Sequence, residues 1–280
     1  MLNIYMKLLL SLRKSLYYKK YNDDGIIILM NECNGFFSCC TIILHSITHY
    51  YNSYNKLPPY INTNLGFLNY KTNNIDITHD FFKHNSLDII PLNNTPIFSI
   101  FQQYTNYNML PYTHYNIFVK HYFQNSDNIQ NIITELTSKY NISCSNTVCV
   151  YYRSGDKATE TKIAPHRTFI QKVYEILYKN PFSSLICVTD DIIFEKQIID
   201  TFYRTNVIVI NELNESMNNS DIRSVNDRTH KHALYLLATV NIISKCHSII
   251  CGSGNVSLWI TLLRGNANNV YQNFNLRWLA

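Results

Sequence analysis

The sequence predicts an α/β fold organised around parallel sheets, with a ligand site at the carboxyl ends of the strands. From position 146 onward, β-prone apolar runs alternate with amphipathic helical patterns, which is typical of βαβ units. Two of those runs lead into loops suited to anions. Ligands of open α/β sheets bind in the crevice outside the carboxyl ends of the strands, so we expect both loops to face one site.

The first of these loops follows the apolar run 146–152. It carries Arg153, Gly155 and Asp156 in R-x-G-D spacing. A guanidinium held there can bind a phosphate or carboxylate in a bidentate manner, and Asp156 can fix its orientation. The alternative is a purely structural ion pair between Arg153 and Asp156.

The second loop follows the run 248–251 and contains Ser253, Gly254 and Asn255. A helix that begins at Ser253 would leave its first N–H groups free and would present the positive end of its dipole, which makes a second anion site. The alternative is that these small residues serve packing alone. Two anion sites at the edge of one sheet predict a diphosphate ligand.

The remaining elements of this half fit one domain, which we predict to span residues 143–280. Asp190 and Asp191 follow the second strand, where they can cap the next helix or contact the ligand. Pro165 suits a first helical turn, and His166 comes directly after it. Strands are expected at 146–152, 184–188, 206–210, 248–251 and 269–272, helices at 165–179, 192–202, 229–245 and 253–263, and a polar loop at 211–226.

The first half predicts a second Rossmann-like domain, with less regular patterns. An apolar strand at 25–30, a turn containing Gly35 and a helix at 38–51 form one βα unit. Asn and Pro residues interrupt the apolar pieces between 52 and 125, and a helix is expected at 126–140. We therefore predict that this domain spans residues 25–142.

The net charge of +5 comes from residues 1–22, within an N-terminal basic segment that we place at 1–24. Five Lys and Arg residues precede the first acidic residue, Asp23, and the rest of the chain carries 19 basic and 19 acidic residues. A nucleic-acid binder needs a basic face that releases counterions, so we expect no nucleic-acid partner. A basic N-terminal helix lying on a membrane or on a partner is an alternative for this segment.

Other features predict a cytoplasmic protein. No apolar stretch reaches the roughly 20 residues that a membrane-spanning helix needs, and the apolar run 6–12 lacks the cleavage site of a signal peptide. The eight cysteines lack C-x-x-C spacing, which favours buried free thiols over disulfides or a zinc site. The abundance of Asn, Ile, Tyr and Lys is typical of a very AT-rich genome, such as those of some protists and large DNA viruses.

Three segments resemble the fucosyltransferase superfamily, which includes the α1,6-, α1,2- and protein O-fucosyltransferases. Residues 150–160, V-Y-Y-R-S-G-D-K-A-T-E, resemble the family motifs H-x-R-R-x-D-K-x-x-T-E and H-x-R-x-G-D. Thr189-Asp190-Asp191 is similar to the T-D-D of the α1,6 group, and residues 244–259 resemble the block that ends the donor domain. The matches occur in the family's order and cover about residues 146–263.

This resemblance implies a GT-B-like fold, in which two Rossmann-like domains face a cleft. It also implies an inverting, metal-independent transfer of fucose from GDP-fucose to a glycan or protein hydroxyl. Without a metal, charge on the departing diphosphate must meet preorganised donors. No cofactor besides the nucleotide sugar is expected.

The resemblance assigns the site residues as follows. The catalytic residues would be Arg153, Asp156 and Glu160, with Glu160 as the base and His166 as its substitute if Glu160 does not reach the acceptor. The donor would contact Lys157, Asp190, Asp191, Ser253, Gly254 and Asn255, and Gly35 and Arg228 are further candidates.

Three departures from the family motifs leave the donor open. Tyr151 stands where the family has a histidine, and Ser154 where the α1,6 group has a second arginine. Thr239 lies near the place of that group's guanine-binding aspartate. The alternatives are another nucleotide sugar, a non-catalytic protein that binds nucleotides or glycans, and a different Rossmann-type enzyme acting on phosphorylated metabolites.

Overall fold

The structure is a computed structural model, and part of the chain lies outside the residues it describes. The predicted site residues Asp156, Lys157 and Glu160 fall outside. The described residues are 17–22, 25–30, 35–59, 61–65, 67, 70, 78–83, 91–92, 94–154, 161–181, 183–218 and 225–279.

A three-stranded sheet forms the beginning of the described chain. Strand β1 (Tyr17–Asn22) pairs antiparallel with β2 (Gly25–Met30), and β2 pairs parallel with β3 (Ile61–Leu65). Helix α1 (Phe36–Tyr54) connects β2 to β3, so the expected βα unit is present. The sheet is mixed, whereas the sequence predicts a parallel sheet in this half.

Strand β1 also corrects the alternative of a basic N-terminal helix for the residues it contains. Lys19 and Lys20 lie in a strand, where they pair with Ile28 and Ile27 of β2. The physical reason is that the apolar β2 needs a second neighbour besides β3, and the preceding chain supplies it by turning back as a hairpin.

Helix α1 is buried on nearly all sides. A helix with apolar residues on every face belongs inside a core. The helix ends at Asn55, which adopts the left-handed conformation (φ 49°) and donates its N–H to the Tyr51 carbonyl. The buried side chains of α1 include Cys39, Cys40, Ile43, Leu44, Ile47 and Tyr50.

Short elements connect this sheet to the rest of the chain. The sequence shows only interrupted apolar pieces before residue 125. A helix nevertheless forms over Tyr112–Tyr122, because Tyr115, Phe118, Val119 and Tyr122 share a buried face. The elements in this region are α2 (Thr78–Phe81), β4 (Phe82–Lys83), α3 (Tyr112–Tyr122), β5 (Gln124–Asn125) and α4 (Asp127–Lys139), the last of them matching the predicted helix 126–140.

A six-stranded sheet organises the second half and confirms the predicted α/β class. Its order is β11-β10-β9-β6-β7-β8, and every pair is parallel except β10 with β11. The first five strands follow the 3-2-1-4-5 order of the Rossmann fold, so the order reverses between β6 and β9. The strands are β6 (Thr147–Tyr152), β7 (Ser184–Thr189), β8 (Val207–Val209), β9 (Ser248–Gly252), β10 (Val270–Phe274) and β11 (Arg277–Leu279).

Helices cover both faces of this sheet. Alternation along β6 places Val148 and Val150 in a cluster with the helices that follow β6 and β7, and places Cys149 in the larger core with the helices on either side of β9. The helices are α5 (His166–Lys179), α6 (Ile192–Thr201), α7 (Asn211–Asn218), α8 (Val225–Ser244) and α9 (Asn255–Arg264).

Helix α7 is a correction, because the sequence predicts a polar loop over 211–226. Leu213 is buried between this helix and α8. The Glu212 carboxylate accepts hydrogen bonds from Lys139 and from the Tyr140 hydroxyl, which holds the polar segment in place. Tertiary contacts therefore make a helix of a segment whose composition is typical of a loop.

Buried hydrogen bonds link the first helix to the second half. The Trp259 indole N–H donates to Thr41 Oγ1 (2.9 Å), and the Thr41 hydroxyl donates to Asn255 Oδ1 (3.1 Å). The Phe37 and Trp259 rings lie 6.0 Å apart. Described residues of both halves share one hydrophobic cluster, and the division near residue 142 stays a prediction.

We predict that Gly265→Ala destabilises the fold by about 1 kcal/mol or more. Gly265 ends α9 at φ +80°, and an added Cβ would lie 3.0 Å from the amide nitrogen of Asn116. The measurement is the free energy of unfolding in urea. Gly252→Ala is the control, because its Cβ would meet only a Phe169 ring carbon at 4.0 Å. Equal effects of the two substitutions would contradict the backbone argument.

Candidate functional site

A cavity of about 710 Å³ opens at the carboxyl ends of β6 and β9, where the strand order reverses. Arg153 and the turn 252–257 line it from the large sheet. Gly35 to Ser38, at the start of α1, line it from the first half. The structure therefore brings together the two loops that the sequence singles out, together with Gly35.

Arg153 is paired with Asp190 in this structure. The Arg153 Nε lies 3.7 Å from Asp190 Oδ2, and the Ser154 N–H donates to Asp190 Oδ1 (2.9 Å). Asp190 thus holds both the guanidinium and the backbone of the loop after β6. The sequence assigns the orienting role to Asp156, which lies outside the described residues.

Tyr151 lies close to Arg153 along the chain and lines the same cavity. Burial raises the pKa of the Tyr151 hydroxyl to about 12, although the neighbouring Arg153 charge opposes that rise. The hydroxyl is therefore protonated and neutral near pH 7, so it can donate or accept a hydrogen bond without adding charge.

The side chains of the turn after β9 are used within the protein. Ser253 Oγ donates to the Asn273 carbonyl (3.3 Å) and accepts from Gln272 Nε2 (2.7 Å). Asn255 is bonded to Thr41, and the Gly254 N–H donates to the buried Tyr107 hydroxyl (3.1 Å). Ser253, Gly254 and Asn255 therefore all have hydrogen-bond partners within the protein, in agreement with the packing role that the sequence leaves open.

Backbone N–H groups at the start of α9 remain available to a ligand. Gly254 is the N-cap and offers no side-chain hydrogen bond. The first internal bond runs from the Leu258 N–H to the Gly254 carbonyl. Within the described chain, the N–H groups of Asn255, Val256 and Ser257 have no acceptor, and these residues line the cavity. Free N–H groups at a helix start suit an anion, as the sequence predicts for this turn.

The start of α1 adds a second such terminus on the facing wall. Its N-cap, Gly35, also lacks a side-chain hydrogen bond, and no acidic residue lies in the first turn. A Cβ on Gly35 would meet nothing within 4 Å, so the wall there is open. The bond between Thr41 and Asn255 keeps the two helix starts side by side.

Asp191 and His166 form a separate pair beside the cavity. Asp191 caps α6, accepting from the Phe194 N–H (3.0 Å), and its Oδ2 lies 3.0 Å from His166 Nε2. His166 Nδ1 lies 3.0 Å from Gln197 Oε1. Neither Asp191 nor His166 lines the cavity. Asp191 therefore caps α6 in this structure, and the donor-binding role of Asp191 and the base role of His166 stay predictions.

Several residues that line the cavity are not predicted from the sequence. Lys162 adds an exposed positive charge, and Glu195 accepts from Asn214 Nδ2 (3.3 Å) on the wall near α7. His232 of α8 also lines the cavity, and burial lowers its pKa to about 4, so it is neutral near pH 7. None of these residues lies in a recognisable motif. Lys162 is the one that the sequence could have suggested, because it lies a short distance along the chain from a strand end.

Thr239 and Arg228 are two further positions that the sequence singles out, and both belong to α8. Thr239 is fully buried in α8 and does not line the cavity, so the comparison with a guanine-binding aspartate does not transfer to it. Arg228 lies in α8, and its side chain lies outside the described structure.

Two classes of feature are absent from the described part of the chain. No three His, Cys, Asp or Glu side chains there converge in a way that could hold a metal ion. No helix among the described residues combines the length and apolar character needed to cross a bilayer.

Comparisons with known proteins give a likeness in structure alone. No protein-family model and no curated protein matches the chain. Among solved structures, it is similar to a NodZ α1,6-fucosyltransferase soaked with GDP-fucose, at 12% identity and a TM-score of 0.39. The match covers 55% of this chain and 47% of that one, so it spans about half of the fucosyltransferase. A likeness this low carries no weight for function.

We predict that Asp191→Ala destabilises the protein by about 1 kcal/mol or more, because it removes the cap of α6 and the partner of His166. Asp191→Asn should lower the free energy of unfolding by less, because asparagine caps a helix equally well and only the charge is removed. The measurement is the free energy of unfolding as a function of pH.

The pH dependence separates the two contributions. Burial raises the pKa of Asp191, but the Phe194 N–H and His166 outweigh it and hold that pKa below its ordinary 3.8. The advantage of Asp191 over asparagine is therefore complete above the ordinary value and disappears as the pH falls through the lowered pKa. An advantage that persists in acid would contradict a contribution from the ionised Asp191 carboxylate.

Proposed function

We propose that this protein is a glycosyltransferase of the fucosyltransferase type, which transfers a sugar with inversion and without a metal ion. The donor is a nucleoside diphosphate sugar, with GDP-fucose as the first to test. The acceptor is a hydroxyl of a glycan or protein, and the proposed compartment is the cytoplasm. The GT-B-like arrangement of two domains belongs to the same proposal.

One observation carries the proposal. Arg153 follows β6, the uncapped start of α9 follows β9, and both line a single cavity at the point where the strand order reverses. A guanidinium and free backbone N–H groups are the donors that a diphosphate needs. The cavity volume of about 710 Å³ falls within the range of small-molecule sites.

The roles of the residues follow from charge development during transfer. Negative charge grows on the departing diphosphate, where Arg153 and the N–H groups of α9 stabilise it. Asp190 positions Arg153 through the loop contacts described above. Lys157 supplies a further positive charge in this proposal, and Glu160 takes the proton of the acceptor hydroxyl.

A second candidate is a nucleotide- or glycan-binding protein without catalysis. The observation in its favour is that His166 is held by Asp191 and Gln197 and does not line the cavity. The base function then depends on Glu160. The two candidates share the ligand site and differ in whether transfer occurs.

We expect a nucleoside diphosphate to stabilise the protein in the presence of a chelator. A ligand at about a hundred times its dissociation constant adds about 2.7 kcal/mol. The measurement is the shift in melting temperature with GDP, UDP, CDP and dTDP. A shift with GDP supports the fucose donor, and a shift with UDP alone would exclude it. No shift with any of the four would refute the donor site.

Arg153→Lys tests the residue behind that binding. Lysine keeps the charge but loses the planar fork, so the nucleotide-induced shift should shrink. Arg204→Lys is the matched control, because Arg204 is exposed after α6 and does not line the cavity. A shift of normal size in Arg153→Lys would remove Arg153 from the site.

Glu160→Gln separates the enzyme from the binding protein. Glutamine cannot take up the proton of the acceptor hydroxyl. Sugar transfer should therefore fall by roughly a hundredfold or more while nucleotide binding is retained. Transfer is measured with a radiolabelled donor sugar. Glu135→Gln, an exposed position on α4, is the control. Normal transfer by Glu160→Gln would show that another group is the base.

A further inference from the structure

Two cysteines meet at the edge of the large sheet opposite the cavity. Cys144 lies in the turn Cys144–Asn146, directly before β6, and Cys246 lies between α8 and β9. The His247 N–H donates to the Cys144 carbonyl at 2.9 Å, so the two backbones lie in direct contact. Arg264 pins the second segment, donating to the carbonyls of Ser244 and Cys246.

The two thiols converge on one acceptor. Cys144 Sγ and Cys246 Sγ each lie 3.7 Å from the Ile242 carbonyl oxygen. Cys144 is partly exposed, whereas Cys246 is buried, so only the first is open to a reagent from solvent. The other free cysteines of the described chain, among them Cys39, Cys40 and Cys187, are buried.

The chemistry of the pair is asymmetric. The neighbouring Cys246 thiol lowers the pKa of Cys144, with help from the Lys245 charge and against the effect of burial. The same contact raises the pKa of Cys246. Because the thiolate is the reactive form, Cys144 is the nucleophile of the pair.

We propose that Cys144 and Cys246 form a reversible disulfide in response to a low-molecular-weight disulfide such as glutathione disulfide. The Cys144 thiolate attacks one sulfur of the reagent, forming a mixed disulfide and releasing one glutathione thiolate. Cys246 then loses its proton and attacks the Cys144 sulfur, releasing the second glutathione. Two protein thiols are oxidised, and one glutathione disulfide is reduced to two thiols.

The crosslink would join the amino ends of β6 and β9, the two strands that carry the cavity at their carboxyl ends. It would close a long loop, which restricts the unfolded chain and stabilises the folded one. Since it lies at the far edge of the sheet, ligand binding should persist after oxidation. This site is independent of the proposed glycosyltransferase function.

The test incubates the full-length protein in buffers of increasing glutathione disulfide to glutathione ratio. Remaining thiols are alkylated, and the linkages are mapped by mass spectrometry. We expect a Cys144–Cys246 crosslinked peptide that dithiothreitol removes, and a melting temperature roughly 5 °C higher in the oxidised protein. Absence of this crosslink at every ratio, or pairing of Cys144 with a different cysteine, would overturn the proposal.

Variants check the order of events. Cys246→Ser should stop at a mixed disulfide of Cys144 with glutathione, and Cys144→Ser should leave Cys246 unreacted. Cys40→Ala is the matched control, because Cys40 is fully buried in α1 and should leave the crosslink unchanged. A glutathione adduct on Cys246 in Cys144→Ser would contradict the assignment of the nucleophile. If a variant does not fold, the disulfide mapping of the chain without substitutions still decides the proposal.

Discussion

The candidate site depends on the parallel pairing of β6 with β9. The two strands are far apart in the chain, yet Cys149 pairs with Ile249 and Val150 with Ile250. This pairing places the order reversal between them, so the chain leaves β6 and β9 toward opposite faces of the sheet. The space between the two chain segments that leave these strands is the crevice that Arg153 and the start of α9 line.

Contacts from the first half then fix the chemistry of the turn after β9. The Thr41 hydroxyl donates to the Asn255 side chain, and the Tyr107 hydroxyl accepts from the Gly254 N–H. Because these groups are occupied, the proposed ligand would be recognised at this turn by the N–H groups of the first helical residues. Backbone recognition places few demands on side-chain identity, which explains why the second anion loop has a weak sequence signature.

The two aspartates after β7 show how neighbouring identical residues acquire different tasks. Successive residues point in different directions as the strand ends. Asp190 turns toward the loop of Arg153, and Asp191 turns toward the start of α6 and toward His166. The resemblance to a T-D-D motif assigns both residues to the donor, whereas the contacts leave only Asp190 on the cavity wall.

The sequence by itself determined the α/β class, every strand of the large sheet except β11, and the position of Arg153 and of the turn at Ser253 at strand ends. Apolar runs and strand-end loops carry that information locally, because periodicity reflects the burial of each element. Only the tertiary structure decided the partner of Arg153, the capping role of Asp191, helix α7 and the entry of Lys162 and His232 into the cavity. These features arise from contacts between residues distant in the chain, and local patterns do not encode which distant groups will meet.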